Sequence, residues 1–179
     1  MDKRSFQILI VFLIIEGLTL VAFLTKKQFS HIYELLILIA LFISIYIFEY
    51  LYKFRTPNYI KTLAAITIIS HNVLGELFAF YKGDVFDKVL HLFGTFSLTI
   101  LFYFIFKSVF HLKLEPRLFV FFFITILGIA FGCLFEILEF SLDILLGQNN
   151  QHSLIDTNLD MIANTMGAFI AGYWVFKFK

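Results

Sequence analysis

Residues 117–146 read RLFVFFFITILGIAFGCLFEILEFSLDILL, and no charged side chain occurs between Arg117 and Glu136. A helix crossing the hydrocarbon core of a bilayer takes about 20 mainly apolar residues. Arg117–Leu138 meets that length, and the pattern continues to Leu146. The run is unbroken, whereas a membrane β-strand alternates in polarity over about 10 residues. Within hydrocarbon every backbone N–H needs a partner other than water, and a helix supplies them all within one segment. The stretch therefore predicts a membrane-spanning helix.

The same test, applied outward, predicts five more spans: Phe6–Leu24, Ile32–Tyr52, Tyr59–Phe80, Phe86–Phe106 and Leu159–Phe178. The expected fold is an all-α integral membrane bundle of six transmembrane helices, a single domain over residues 1–179. Its longest connection, about Gly147–Asn158, leaves no room for a soluble domain. The first span follows Asp2, Lys3 and Arg4, as in a signal peptide. It is too long for an h-region, and no small-x-small cleavage site precedes Lys26, so it reads as a permanent helix. Composition agrees: 60% of residues are hydrophobic and 15% charged, against about 25% charged in a soluble domain. Lys and Arg number 14 against 13 Asp and Glu, with no basic block, which argues against a nucleic-acid partner. The lone cysteine, Cys133, forms no intrachain disulfide and reads as packing.

Basic residues set the expected orientation. Lys3, Arg4, Lys53, Arg55, Lys61, Lys107, Lys113, Arg117, Lys177 and Lys179 fall on the side of the N-terminus, and only Lys26, Lys27, Lys82 and Lys88 on the other. The positive-inside rule then puts both termini in the cytoplasm. Pro57 and Pro116 also fall on that side, where they end helices at little cost.

In this arrangement the polar residues of four spans share the outer layer. Asn72 and Glu76 lie late in the third span, and Asp87 and His91 open the fourth. Glu136, Glu139 and Asp143 lie late in the fifth. Asp156 precedes the sixth, whose first turns carry Asp160 and Asn164. At about 100° per residue, Glu136, Glu139 and Asp143 share one stripe with Gly128 and Gly132, and Asp160 and Asn164 share one with Ala163, Gly167 and Ala171. Asp87 and His91 align with Gly94 and Thr95, and Asn72 and Glu76 with Ala65, Gly75 and Ala79. Small residues mark close helix contact in membranes. Ionisable residues there face the bundle interior or a wet cavity. Both signals select the same faces, which predicts a polar pocket open to the outside.

The donor set His91, Asp87, Glu136 and Asp160 suits one divalent ion: Zn²⁺, Mg²⁺ or Mn²⁺. Glu139 is the candidate catalytic base, and Asn164, Glu76, Asn72 and Asp156 complete the pocket. The competing reading is a hydrogen-bonded acid–His–Asn network with Lys88 as counter-charge. Deeper in the bundle, Glu16 and His71 read as a helix-locking pair, or Glu16 as a lone protonated acid. His31, His111 and His152 read as solvated. The many phenylalanines read as lipid-facing bulk, and Tyr173 and Trp174 as interface anchors.

Three blocks carry a family resemblance over roughly residues 70–175. Residues 86–94, FDKVLHLFG, open with Asp-Lys-x-x-His; residues 132–139, GCLFEILE, hold paired glutamates; residues 156–168, DTNLDMIANTMGA, close the set. In this order they resemble VanZ-like membrane proteins, and the YjdF-like branch more closely. Phe135 stands where that branch often has Trp, and residues 148–153 replace its glycine-rich lead-in. The resemblance implies a bacterial cytoplasmic membrane protein of the cell envelope and selects the same acids and His91. It implies no agreed reaction.

Three functions fit these residues. The first is a non-catalytic envelope protein whose pocket binds a metal, a lipid headgroup or a lipid-linked envelope precursor, with membrane lipids as its surroundings. The second is a metal-assisted membrane hydrolase of a lipid-linked substrate, with Glu139 as base. The third is an ion- or proton-coupled transporter using Glu16 and His71.

Overall fold

The computed structural model describes residues 2–147 and 150–178, without the side chains of residues 84 and 146. Gln148 and Asn149, in the connection that departs from the family pattern, lie outside the described residues. The described residues are almost entirely helical: α1 (Lys3–Thr25), α2 (Phe29–Tyr52), α3 (Asn58–Ile69), α4 (Asp84–Val109), α5 (Arg117–Leu146) and α6 (Leu154–Phe178). Four helical segments are long and apolar enough to cross a membrane: Lys3–Thr25, Phe29–Tyr52, Val85–Val109 and Arg117–Leu145. The other two predicted spans differ from these. The third is α-helical only to Ile69, continues as a π-helix over Ser70–Leu77, and ends in a short 3₁₀ turn, Phe80–Lys82. The sixth is long enough, but Asp156, Asn158, Asp160 and Asn164 reduce its apolar character.

The chain forms two compact units, Met1–Phe86 and Asp87–Lys179. In the first, the Asp2 carboxylate caps α1 by accepting the Ser5 N–H at 2.7 Å. That bond holds its carboxyl below the usual carboxylate range. Phe12, Phe23 and Phe42 are fully buried, and the Phe12 and Phe42 rings pack tilted at 34° with centroids 4.1 Å apart. Part of the phenylalanine is therefore core rather than lipid-facing bulk. Glu16 is fully buried and accepts from Asn72 Nδ2 at 2.9 Å. The expected Glu16–His71 pair is replaced by this contact to the next residue along.

Lys61 also departs from expectation, which counted it among charges facing the cytoplasm. It is buried in α3, where its ammonium donates to Ser5 Oγ at 2.6 Å and to Glu49 Oε2 at 2.9 Å. The charge also lies 4.7 Å from the centre of the Tyr46 ring. Glu49 Oε1 in turn accepts the Thr56 N–H at 2.6 Å.

In the second unit α5 and α6 pack closely along small residues. A Cβ at Gly128 would stand 2.6 Å from Ala168 Cβ, and one at Gly132 would stand 2.7 Å from Asn164 Cβ. A Cβ at Gly167 would collide with the Leu92 carbonyl oxygen and reach the Phe96 nitrogen at 3.1 Å, so α4 backbone also depends on a missing side chain. The inward face of α6 holds Asp160, Ala163, Asn164, Gly167, Ala168 and Ala171. Its outward face shows Leu159, Met161, Ile162, Met166, Phe169 and Ile170. Tyr173 and Trp174 are exposed as expected of interface anchors. Cys133, read as packing, is exposed on α5.

Candidate functional site

α4, α5 and α6 bring their polar residues together at one end of the second unit. α4 supplies Asp87, Lys88 and His91 from its first turns, with Thr95 one turn deeper. α5 contributes Glu136 and Glu139, and α6 contributes Asp156, Asp160 and Asn164. Lys88 donates to Asp87 Oδ2 at 2.9 Å and to Asp156 Oδ1. Its Nζ also lies 2.7 Å from Asp160 Oδ1, a third ion pair.

His91 stands among four carboxylates. Its Nε2 lies 3.4 Å from Asp87, 3.7 Å from Asp160 and 3.9 Å from Glu139, and its Nδ1 lies 3.5 Å from Glu136. Asn164 lies against the Nδ1 edge of the ring. The Asn164 amide donates to Glu136 Oε1 at 3.2 Å, and its carbonyl accepts from the Thr95 hydroxyl at 2.6 Å. The same carbonyl meets His91 Nδ1 at 3.3 Å. Nε2 faces Asp87, Asp160 and Glu139. A hydrogen bond that fixes the rear nitrogen is the usual partner of a metal-binding imidazole.

Burial grades the carboxylates. The Glu136 side chain is 6% exposed and that of Glu139 26% exposed. Glu136 Oε2 is buried with no hydrogen-bond partner. Two sets of donor atoms lie within 4.8 Å of one another: Asp87, His91 and Asp160, and His91, Glu136 and Glu139. Asp143, aligned with the paired glutamates in sequence, instead accepts the backbone N–H groups of Asn150 and Gln151 at 2.7 and 2.8 Å and holds the turn after α5.

The remaining predicted pocket residues lie in the first unit. Asn72 binds Glu16, and Glu76 Oε2 lies 2.9 Å from His31 Nδ1. The π-helix is the reason. It changes the helical phase after Ile69, so the stripe drawn for a continuous α-helix does not describe these side chains. His31, read as solvated, is therefore engaged with a carboxylate. Glu34, which carried no sequence reading, accepts from His71 at 3.1 Å.

A family model described as a predicted membrane protein, DUF2238, matches residues 6–179. The chain belongs to the DUF2238 family. An uncharacterised protein of Thermotoga maritima is 34% identical over 140 residues, covering 76% of this chain and 71% of its own. No solved structure matches. This DUF2238 protein is thus a membrane protein with several apolar helices, multi-pass and embedded in lipid.

Proposed function

We propose that this protein is a six-span protein of the bacterial cytoplasmic membrane, with both termini inside, whose outward-facing pocket binds one divalent metal ion. The observation that carries the reading is the charge around His91. Five carboxylates, Asp87, Glu136, Glu139, Asp156 and Asp160, share one enclosed end with a single ammonium, that of Lys88. Even a protonated His91 leaves them in excess, and buried charge of one sign is costly without a counter-ion. A divalent cation at His91 Nε2, with Asp87 and Asp160 as oxygen ligands, supplies it. Glu136 and Asn164 steady the ring from behind. The carboxylate-rich donor set favours Mn²⁺ or Mg²⁺ and also admits Zn²⁺.

The six-span topology is supported by the placement of the α6 polar groups. Asp160 and Asn164 turn inward, so the face left for lipid is apolar. The bound ion then offers a positive centre to an anionic lipid headgroup or a lipid-linked envelope precursor, a role in keeping with the VanZ-like resemblance. The test is Mn²⁺ titration of the metal-stripped, detergent-purified protein, read by the loss of the free-ion electron paramagnetic resonance signal. One tight equivalent should disappear in the His91→Ala/Asp160→Asn variant. Equal binding by variant and wild type would overturn the proposal.

The exposure of Glu139 favours a second reading, a metal-assisted hydrolase. Glu139 is the most exposed of the four carboxylates around His91, so it would serve as the general base, and a metal held by the others would supply activation of the water. The second unit has one arginine, Arg117, about 28 Å along α5 from Glu136 at 1.5 Å per residue. With no guanidinium of the second unit nearby, an ester suits this reading better than a phosphoryl group. Hydrolysis of a labelled lipid ester that survives Glu139→Gln would remove it.

A further inference from the structure

The first unit holds a separate cluster that this reading does not use. His31 and Glu34 sit one turn apart near the start of α2, and His71 and Glu76 sit on the π-helix. Donor atoms of His31, Glu34 and Glu76 all lie within 4.8 Å of one another. His31 Nδ1 is 2.9 Å from Glu76 Oε2, and His71 Nε2 is 3.1 Å from Glu34 Oε1. We infer that His31, Glu34 and Glu76 form a second metal site, selective for an imidazole-seeking divalent ion of the Zn²⁺ class, with His71, now 3.1 Å from Glu34, completing it as the ion binds.

Three observations lead to it. The donor set is two imidazoles and two carboxylates, which suits Zn²⁺ or Co²⁺ and not Ca²⁺ or Mg²⁺. The spacing fits, because ligand bonds of about 2.0–2.1 Å place neighbouring donors roughly 3 Å apart. The backbone is specialised for it. In an α-helix residues 71 and 76 would point about 140° apart at 100° per residue. The π-helix bonds i→i+5, as the bond from Phe78 N to Val73 O at 3.0 Å shows, and both side chains reach α2, where His71 meets Glu34 and Glu76 meets His31. Such segments occur frequently at functional sites.

The surroundings hold the ligands. The Tyr81 hydroxyl hydrogen-bonds His71 Nδ1, leaving Nε2 toward Glu34. Gly75 makes that contact possible, since a Cβ there would enter the Tyr81 ring. Lys26 Nζ donates to the Leu77 carbonyl at 3.3 Å, at the end of the π-helix. All four candidate ligands are partly exposed, so an ion can reach them.

The test uses the full chain carrying His91→Ala and His152→Ala, which removes both imidazoles next to the carboxylates of the other pocket. The metal-stripped protein is loaded with one equivalent of Zn²⁺ and examined by X-ray absorption. Scattering from two imidazoles is expected, falling to one or none when His31→Gln and His71→Gln are added. In parallel, Co²⁺ added to the otherwise wild-type Glu76→Gln protein should bind at least tenfold more weakly, with monodispersity and helical content unchanged. Zinc without imidazole scattering, or Co²⁺ affinity unaltered by Glu76→Gln, would overturn the assignment. Either result leaves the Mn²⁺ equivalent at His91 standing or falling on its own titration.

Discussion

Replacing Lys61 by methionine keeps the length of the side chain and deletes its charge. Lys61 is 2% exposed and its partner Glu49 11% exposed, so the pair is shielded from solvent. After Lys61→Met, Glu49 keeps only the Thr56 N–H among these contacts, and Ser5 Oγ loses a charged donor. Removing one partner of a buried pair costs about 3–5 kcal/mol, because the other charge stays buried and uncompensated. Adding Glu49→Gln removes that charge and keeps an oxygen for Thr56. The double variant should therefore cost less than the sum of the singles, with a coupling of about 2–3 kcal/mol between the two positions. Reversible unfolding in mixed micelles, followed by circular dichroism, measures the four corners of this cycle. A cost below about 1 kcal/mol for Lys61→Met, or a double variant equal to the sum of the singles, would refute a buried, paired lysine.

Gly167→Ala should destabilise the protein by about 1–3 kcal/mol, because its Cβ meets α4 backbone that cannot move aside. Gly17→Ala, with nothing within 4 Å of the new methyl, is the control and should be neutral or mildly stabilising by thermal melting in the same detergent. Asp2→Ala should raise fraying of α1, measured by hydrogen exchange of its first turn, whereas Asp2→Asn should retain the cap. The Asp2 carboxyl is held low by the Ser5 N–H, so its contribution is present above the ordinary Asp range. It is lost as pH falls through the lower folded value, and a cap that strengthens with acid would contradict that sign.

The sequence was most readable where one period governs a whole element. The α5 stripe from Gly128 to Glu139 and the α6 stripe from Asp160 to Ala171 lie on packed faces because both helices stay regular. That regularity brings Asp87, His91, Glu136, Glu139, Asp160 and Asn164 together from three separate helices. Reading failed where the period changes. Nothing in residues 58–80 announces a π-helix at Ser70, so a stripe joining Asn72 and Glu76 to Ala65 presumes an α-helix that stops at Ile69. Glu34 carries no sequence reading although His31-x-x-Glu34 is a ligand spacing on one helix face. Its other half becomes visible only once His71 and Glu76 are seen to reach α2. Lys61 looked like a charge facing water because Glu49, twelve residues earlier, gave no sign of reaching it.

The length of α5 has a consequence for the surrounding lipid. From Arg117 to Glu136 the helix rises about 28 Å, close to the roughly 30 Å thickness of a hydrocarbon core. In the proposed topology Arg117 stands at one boundary and the glutamate rim at the other. A bilayer built from longer acyl chains must then either tilt α5 or draw its acids beneath the headgroups. Under that proposal acyl-chain length becomes a control over what reaches the acids.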